Sequence, residues 1–162
     1  MSASLNEAAV KSASRGFHPT ERQLRLLRYA AELGVSDAVE VRHEVPYREM
    51  PAIYASASAM VLASLPVWSW EEQFGMVLAE AMCCGLPVIA ADSGAIAEVM
   101  TGAATLVAPQ DWRGLARALA DGPLASPPGA RASYDDALLD RYSESAAAAS
   151  LASAYADVLA TR

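Results

Sequence analysis

The sequence predicts an α/β domain built on a parallel sheet. Three observations carry that prediction. Residues 60–63 and 87–91 are short, continuous apolar runs, as expected of strands buried on both faces. Residues 105–108 repeat the pattern more weakly, and Val39 and Val41 alternate with Glu40 and Arg42 in the manner of a strand covered on one face. Helical periods separate all four, so the order is strand then helix, repeated, with right-handed crossovers.

Each element has its own signal. Thr20 and Gln23 form a capping box that opens a helix, Leu24, Leu27 and Ala31 give it an apolar face, and Gly34 supplies a left-handed end. Pro51 suits the first turn of a second helix, whose face is Ile53, Tyr54 and Ala57. Residues 74–84 predict a third, and residues 111–121 a fourth with Leu115, Ala116 and Leu119 on one side. Pro and Gly break both periods over residues 122–130, and helices return at 133–139 and 143–160. The expected organisation is an N-terminal segment (1–18), an α/β domain (19–121), a linker loop (122–130) and C-terminal helices (131–162).

Composition excludes several classes. At 162 residues and 54% hydrophobic the chain holds a core of ordinary size, without the character of a disordered chain or a disulfide scaffold. A net charge of -7, with Lys11 the only lysine and the arginines scattered, argues against nucleic acid as a partner. Cys83 and Cys84 are adjacent in an apolar run, which offers no metal spacing and places them in the core. No signal core and no run long enough to span a bilayer is seen, so a cytoplasmic location is expected. There is no Walker loop and no Gly-x-Gly-x-x-Gly. His18 and His43 stand without a carboxylate or serine at a catalytic spacing.

The chemistry concentrates in residues 72–80, where Glu72 and Glu80 have seven residues between them and enclose Phe74-Gly75. On a helix over 74–84, the neighbours of Glu80 are Met76, Val77, Cys83 and Cys84, all apolar. A carboxylate there requires a partner, either a polar ligand or a donor elsewhere in the fold. Glu72 falls before the helix in a loop with Pro66, Trp68 and Trp70, and the two tryptophans are expected to pack within that loop. Ligands of open parallel sheets bind beyond the carboxyl ends of the strands. Residues 43–45, 64–72 and 92–94 fall there. The turn at Phe74-Gly75 would present free amides at a helix N-terminus, which makes an anion site. A helical rise of about 12 Å from 72 to 80 separates the glutamates too far for an acid/base pair and suits two ends of a long ligand.

These residues resemble the GT-B-fold retaining glycosyltransferases that use nucleotide-sugar donors, in particular glycosyltransferase family four. Glu72, Phe74, Gly75, Glu80, Ala81, Met82, Gly85, Pro87 and Val88 carry the likeness, with Gly94 and Glu98 downstream. It covers roughly residues 19–121. The resemblance implies an incomplete doubly wound parallel sheet, the Rossmann-like C-terminal half of a GT-B fold, followed by C-terminal helices. It implies that Glu80 binds the donor ribose hydroxyls and that Glu72, the catalytic candidate, binds the transferred sugar. The amides of Phe74, Gly75 and Met76 would meet the sugar and diphosphate, backbone near His43 to Val45 would hold the base, and the Ser93-Gly94 turn would line the site. Glu98 is expected to be structural. No metal and no cofactor is implied.

Three departures stand out. Such enzymes have two domains, and the acceptor-binding N-terminal one is missing here, with the opening strand and helix of the donor domain. His43 replaces a usual glycine, and Ala95 and Ala97 replace a usual Gly and Pro. An Arg/Lys pair on the missing half normally faces the diphosphate, and Lys11 and Arg15 do not match it. Charge-assisted hydrogen bonds contribute about 1.5–3 kcal/mol each, against about 0.3–2 for a helix dipole. Losing two would weaken donor binding by roughly a hundred- to ten-thousand-fold. The expected function is donor binding in transfer of a sugar from a nucleotide diphosphate to an unknown acceptor, with a separate N-terminal GT-B domain as the implied partner. The alternative is a non-catalytic nucleotide-binding or assembly module completed by a partner chain.

Overall fold

A computed structural model describes residues 20–42, 44–69 and 71–160. The N-terminal segment with Lys11, Arg15 and His18, together with His43 and Trp70, lies outside the described residues. The chain divides into two compact units between Glu49 and Met50.

In the first unit, α1 (Glu21–Glu32) begins at the expected capping box. Gln23 N–H donates to Thr20 Oγ1, and Thr20 N–H donates back to Gln23 Oε1 at 2.8 Å. At the other end Gly34 takes φ +71, its N–H reaches the Ala31 carbonyl, and Val35 N–H reaches the Ala30 carbonyl. That pair of bonds closes the helix in the left-handed manner. The covered face runs through Leu24, Leu27 and Ala30, whereas Ala31 is exposed. Arg22, Arg25 and Arg28 border one surface concavity with Leu26, Tyr29 and Glu32, so three arginines expected to be scattered make a short basic row.

The strand expected at 39–41 is absent from the sheet, which has three strands among the described residues. Val39 is extended, with φ −114 and ψ 117, but the alternation serves a local purpose. Arg42 Nε donates to Glu40 Oε1 at 2.7 Å across the two-residue spacing, and this contact lowers the Glu40 pKa. A period of two reports extended backbone, not the presence of a neighbour to pair with.

The second unit holds the sheet. Its elements are α2 (Met50–Ser56), β1 (Met60–Leu62), α3 (Met76–Cys83), β2 (Val88–Ala91), α4 (Ile96–Met100), β3 (Thr105–Val107), α5 (Trp112–Asp121), α6 (Asp136–Asp140) and α7 (Glu144–Ala160). All three strands are parallel in the order β1-β2-β3, with Met60 beside Val88, Leu62 beside Ala90 and Ala91 beside Val107. The expected strand-helix alternation and α/β class are therefore observed. Burial differs along the sheet. β2 is buried throughout, β1 is half-buried, and most of β3 is exposed, so coverage of both faces holds for the central strand only.

Leu78, Ala81 and Met82 of α3 pack with Leu86, Val88, Ala90, Ile96, Val99, Met100 and Tyr54 in one core. Full burial of a Leu, Ile or Met side chain stabilises by about 1.5–3 kcal/mol, so this cluster fixes α3 on the strands. Of the cysteines, Cys83 departs from expectation and is exposed at the last position of α3, whereas Cys84, which caps that helix, is half-buried and packs against the core.

Residues 129–142 form a strap over the unit. Gly129 N–H donates to Ser58 Oγ, Ala132 N–H to the Gly85 carbonyl, and Tyr134 Oη to the Leu86 carbonyl at 2.6 Å, all near the start of the strands. Arg131 donates to the carbonyls of Ala55 and Ala57, which closes the end of α2. The helix expected at 133–139 shrinks to α6 because Asp135 caps it, accepting from Ala137 N–H. Tyr134, Leu138, Leu139 and Tyr142 then pack against the core. Beyond them α7 has no buried residue, and its stripe of Leu151, Tyr155, Val158 and Leu159 is exposed.

Candidate functional site

The site forms where the loops after β1 and β2 meet the start of α3. Chain leaving β1 runs through Ser64 to Glu72, and chain leaving β2 runs through Asp92 to Ala95. The two are locked together: Ala95 N–H donates to the Glu72 carbonyl at 3.1 Å. Gly94 takes φ +57, and a Cβ built there would stand 1.9 Å from the same carbonyl oxygen. Only glycine satisfies both demands.

Glu72 is half-buried, and its side chain is held as firmly as its backbone. Oε1 accepts from Gly75 N–H at 3.1 Å and Oε2 from Ser64 Oγ at 3.4 Å. Gly75 precedes α3 in the left-handed region at φ +67, and a Cβ built there would stand 3.1 Å from Leu78 and 3.6 Å from Leu62. The helix thus starts at Met76, not Phe74, because a residue with positive φ cannot continue it. Two expectations change with this. The Gly75 amide is engaged by Glu72, so the first-turn amides of Met76 and Val77 are the ones the helix geometry leaves without intrahelical partners. The rise argument for the spacing of the glutamates also fails, since only the stretch from Met76 to Glu80 is helical.

Glu80 sits in the second turn of α3, half-buried, with Met76 and Cys83 beside it exposed rather than enclosing it. One of its contacts is Tyr54, whose hydroxyl donates to Oε2 at 2.7 Å. A structural donor therefore exists, and sequence reasoning missed it. Tyr54 lies on another helix, twenty-six residues away, and its place on an apolar face marked it only as core.

The remaining residues are dispersed around this centre. Phe74 is turned partly outward, its ring edge-on to Tyr142 at 6.3 Å between centroids. Tyr142 in turn donates to the Val99 carbonyl; burial raises its pKa, opposed by Arg141 and reinforced by Cys83. Met76 is 60% exposed. Ser93, next to Gly94, is buried with Oγ lacking a hydrogen-bond partner. Trp68 is 100% exposed and packs on nothing, contrary to the expected loop packing, and Glu98 faces outward in α4. Among the described residues no group of three His, Cys, Asp or Glu side chains is placed to hold a metal ion, and no helix is long and apolar enough to cross a membrane.

Glu72 and Glu80 and the loops around them fall inside a stretch that matches a known family. The family model described as glycosyl transferases group 1 matches residues 19–122. The chain belongs to this family. Within the group 1 glycosyl transferases it is 35% identical over 141 residues to a D-inositol 3-phosphate glycosyltransferase of Streptomyces bingchenggensis, covering 83% of this chain and 29% of that protein. It is 39% identical over 90 residues to the Frankia alni protein of the same name, covering 53% and 20%. An O-antigen chain mannosyltransferase, RfbU, of Salmonella typhimurium is 34% identical over 92 residues, covering 57% and 25%. The chain thus spans less than a third of the length of each of these relatives. The parallel α/β unit agrees with the Rossmann-like C-terminal half expected of a GT-B member of the group 1 family.

Proposed function

We propose that this chain supplies the donor-binding half of a retaining glycosyltransferase, moving a sugar from a nucleotide diphosphate to an unknown acceptor with a separate N-terminal GT-B domain as partner. Glu80 would take the ribose diol, Glu72 the transferred sugar, and the amides of Met76 and Val77 the diphosphate, with the Ser93-Gly94 turn against the site. The observation that carries this reading is the clasp between Glu72 and Ala95, which builds a polar floor from two loops at the carboxyl ends of adjacent parallel strands. Catalysis would then be positioning plus electrostatic stabilisation of the departing diphosphate. One negative charge at Glu72 already faces the positive end of α3, so a diphosphate shares that end rather than owning it. A cationic partner surface would relieve this crowding, and relatives named as glycosyltransferases that extend well beyond this chain support such a partner. Donor affinity of the chain alone is then weak. Calorimetry and ligand-observed NMR with uridine, guanosine and adenosine diphosphate sugars test the reading. Binding of one class, weakened at least tenfold by Glu80→Ala, is expected; absence of binding across the panel overturns it.

A further inference from the structure

We infer that Tyr142 is the positioning residue for Glu72, bracing both loops of the site, and that it thereby sets how much the transferred sugar adds to donor affinity. The inference rests on the assignment of Glu72 to that sugar. Tyr142 lies at the end of the strap, beyond the residues 19–122 that the family model matches. Its side chain reaches both walls of the site. The ring, half-buried against the core, meets Phe74 edge-on at 6.3 Å between centroids and 83° between planes. The hydroxyl donates to the Val99 carbonyl in α4.

Each contact leads to Glu72 by a short path. Phe74 lies inside the turn that Glu72 closes by accepting from Gly75 N–H at 3.1 Å, so the seat of the Phe74 ring bears on the carboxylate. On the other side, Val99 N–H donates to the Ala95 carbonyl at 2.9 Å, and Ala95 N–H donates to the Glu72 carbonyl at 3.1 Å. α4 has five residues, too few to stand by their own hydrogen bonds, so its place depends on its buried side chains and on the bond from Tyr142. The Ser64 hydroxyl, by contrast, ties Glu72 to its own loop. One aromatic side chain thus steadies the carboxylate and the backbone of the same glutamate from two directions. A misplacement of about 1 Å at a positioning contact costs up to about a hundredfold. Loss of the brace is therefore felt at the sugar, which Glu72 holds, and not at the diphosphate, which the first-turn amides of α3 hold.

The test compares wild type with Tyr142→Phe, which keeps the ring and loses the Val99 bond, and Tyr142→Leu, which loses both contacts. Tyr134→Phe, which removes a hydroxyl from the other end of the strap, is the control. Each is titrated by ligand-observed NMR with UDP and UDP-glucose, GDP and GDP-mannose, and ADP and ADP-glucose, and circular dichroism verifies folding. The readout is the ratio of affinities for a sugar ester and its bare diphosphate. Wild type is expected to favour the ester. Tyr142→Phe should lower that ratio by about threefold and Tyr142→Leu by about tenfold, as loss of one and of two modest contacts implies. Affinity for the bare diphosphate should hold in both, and Tyr134→Phe should keep the wild-type ratio. An unchanged ratio in the folded Tyr142 variants overturns the positioning role and leaves the assignment of Glu72 standing. Equal weakening of ester and diphosphate, or a ratio lowered as much by Tyr134→Phe, overturns it too, because the effect is then on the fold. If wild type shows no gain from the sugar, or binds none of the six, the assignment of Glu72 fails and the inference with it. Should Tyr142→Leu not fold, Tyr142→Phe decides alone by the same ratio.

Discussion

The backbone of Gly94 lies so close to that of Glu72 that the missing side chain is the reason the two loops can touch. The conformation is left-handed at the same residue, so shape and dihedral select glycine independently. Gly94→Ala is expected to destabilise the protein by on the order of 2–4 kcal/mol, from the left-handed penalty of about 1–2 plus the displaced contact. Urea unfolding followed by circular dichroism measures this. Stability within 0.5 kcal/mol of wild type would show that the loops separate at no cost.

Glu72→Gln separates the charge of that residue from its shape. The amide oxygen can still accept from Gly75 N–H, so unfolding free energy should change by less than about 1 kcal/mol. Removing a negative charge beside the start of α3 should leave bare nucleoside diphosphate binding equal or a few-fold tighter. The additional affinity contributed by the sugar should be lost. Paired titrations with a nucleoside diphosphate and its sugar ester read both effects, and weaker binding of the bare diphosphate would contradict the charge argument.

Alkaline pH should loosen the strap. Burial raises the Tyr134 pKa, and Tyr142 is raised in the same direction with burial first among its causes. A phenol whose folded pKa exceeds its unfolded value near 10 contributes stability fully present below about pH 10 and lost as pH rises through the folded value. Thermal melting should therefore be flat from pH 8 to 9 and fall above about pH 10. Tyr134→Phe should flatten part of that fall, after allowance for its lost bond to the Leu86 carbonyl. Equal alkaline slopes in the variant and wild type would rule out this source.

Removing residues 144–162 should change stability of the sheet unit by less than about 1 kcal/mol, because α7 has no buried residue. With no buried residue along its seventeen positions, α7 should exchange its amides with deuterium ahead of those of α3 and β2. Protection of α7 equal to that of β2 would show that something covers its exposed stripe.

Local signals proved legible and paired ones did not. The capping box at Thr20, the left-handed end at Gly34, and strands within one residue of their expected bounds at Met60, Val88 and Thr105 were each readable from a few neighbouring residues. The α1 face shifted from Ala31 to Ala30, and the covered side of α5 runs through Leu115, Ala118 and Leu119, because a step of three or four residues is decided by packing. The strand over 39–41 failed since alternation says nothing of a partner. The candidate site was readable as a set of residues but not as a set of contacts. Glu72, Gly75 and Gly94 do converge, yet the engagement of the Gly75 amide, the Ser64 hydroxyl and the Tyr54 bond to Glu80 are products of tertiary approach. No spacing along the chain encodes them.

The stretch that identifies the family ends at residue 122, while the packing that completes the core continues to Tyr142. Chimeras that transplant this half between relatives should consequently be cut after the strap. A seam at 122 would leave the recipient's own residues to replace Tyr134 and Tyr142, one anchored near Leu86 at the foot of the strands and the other beside Phe74 at their tips.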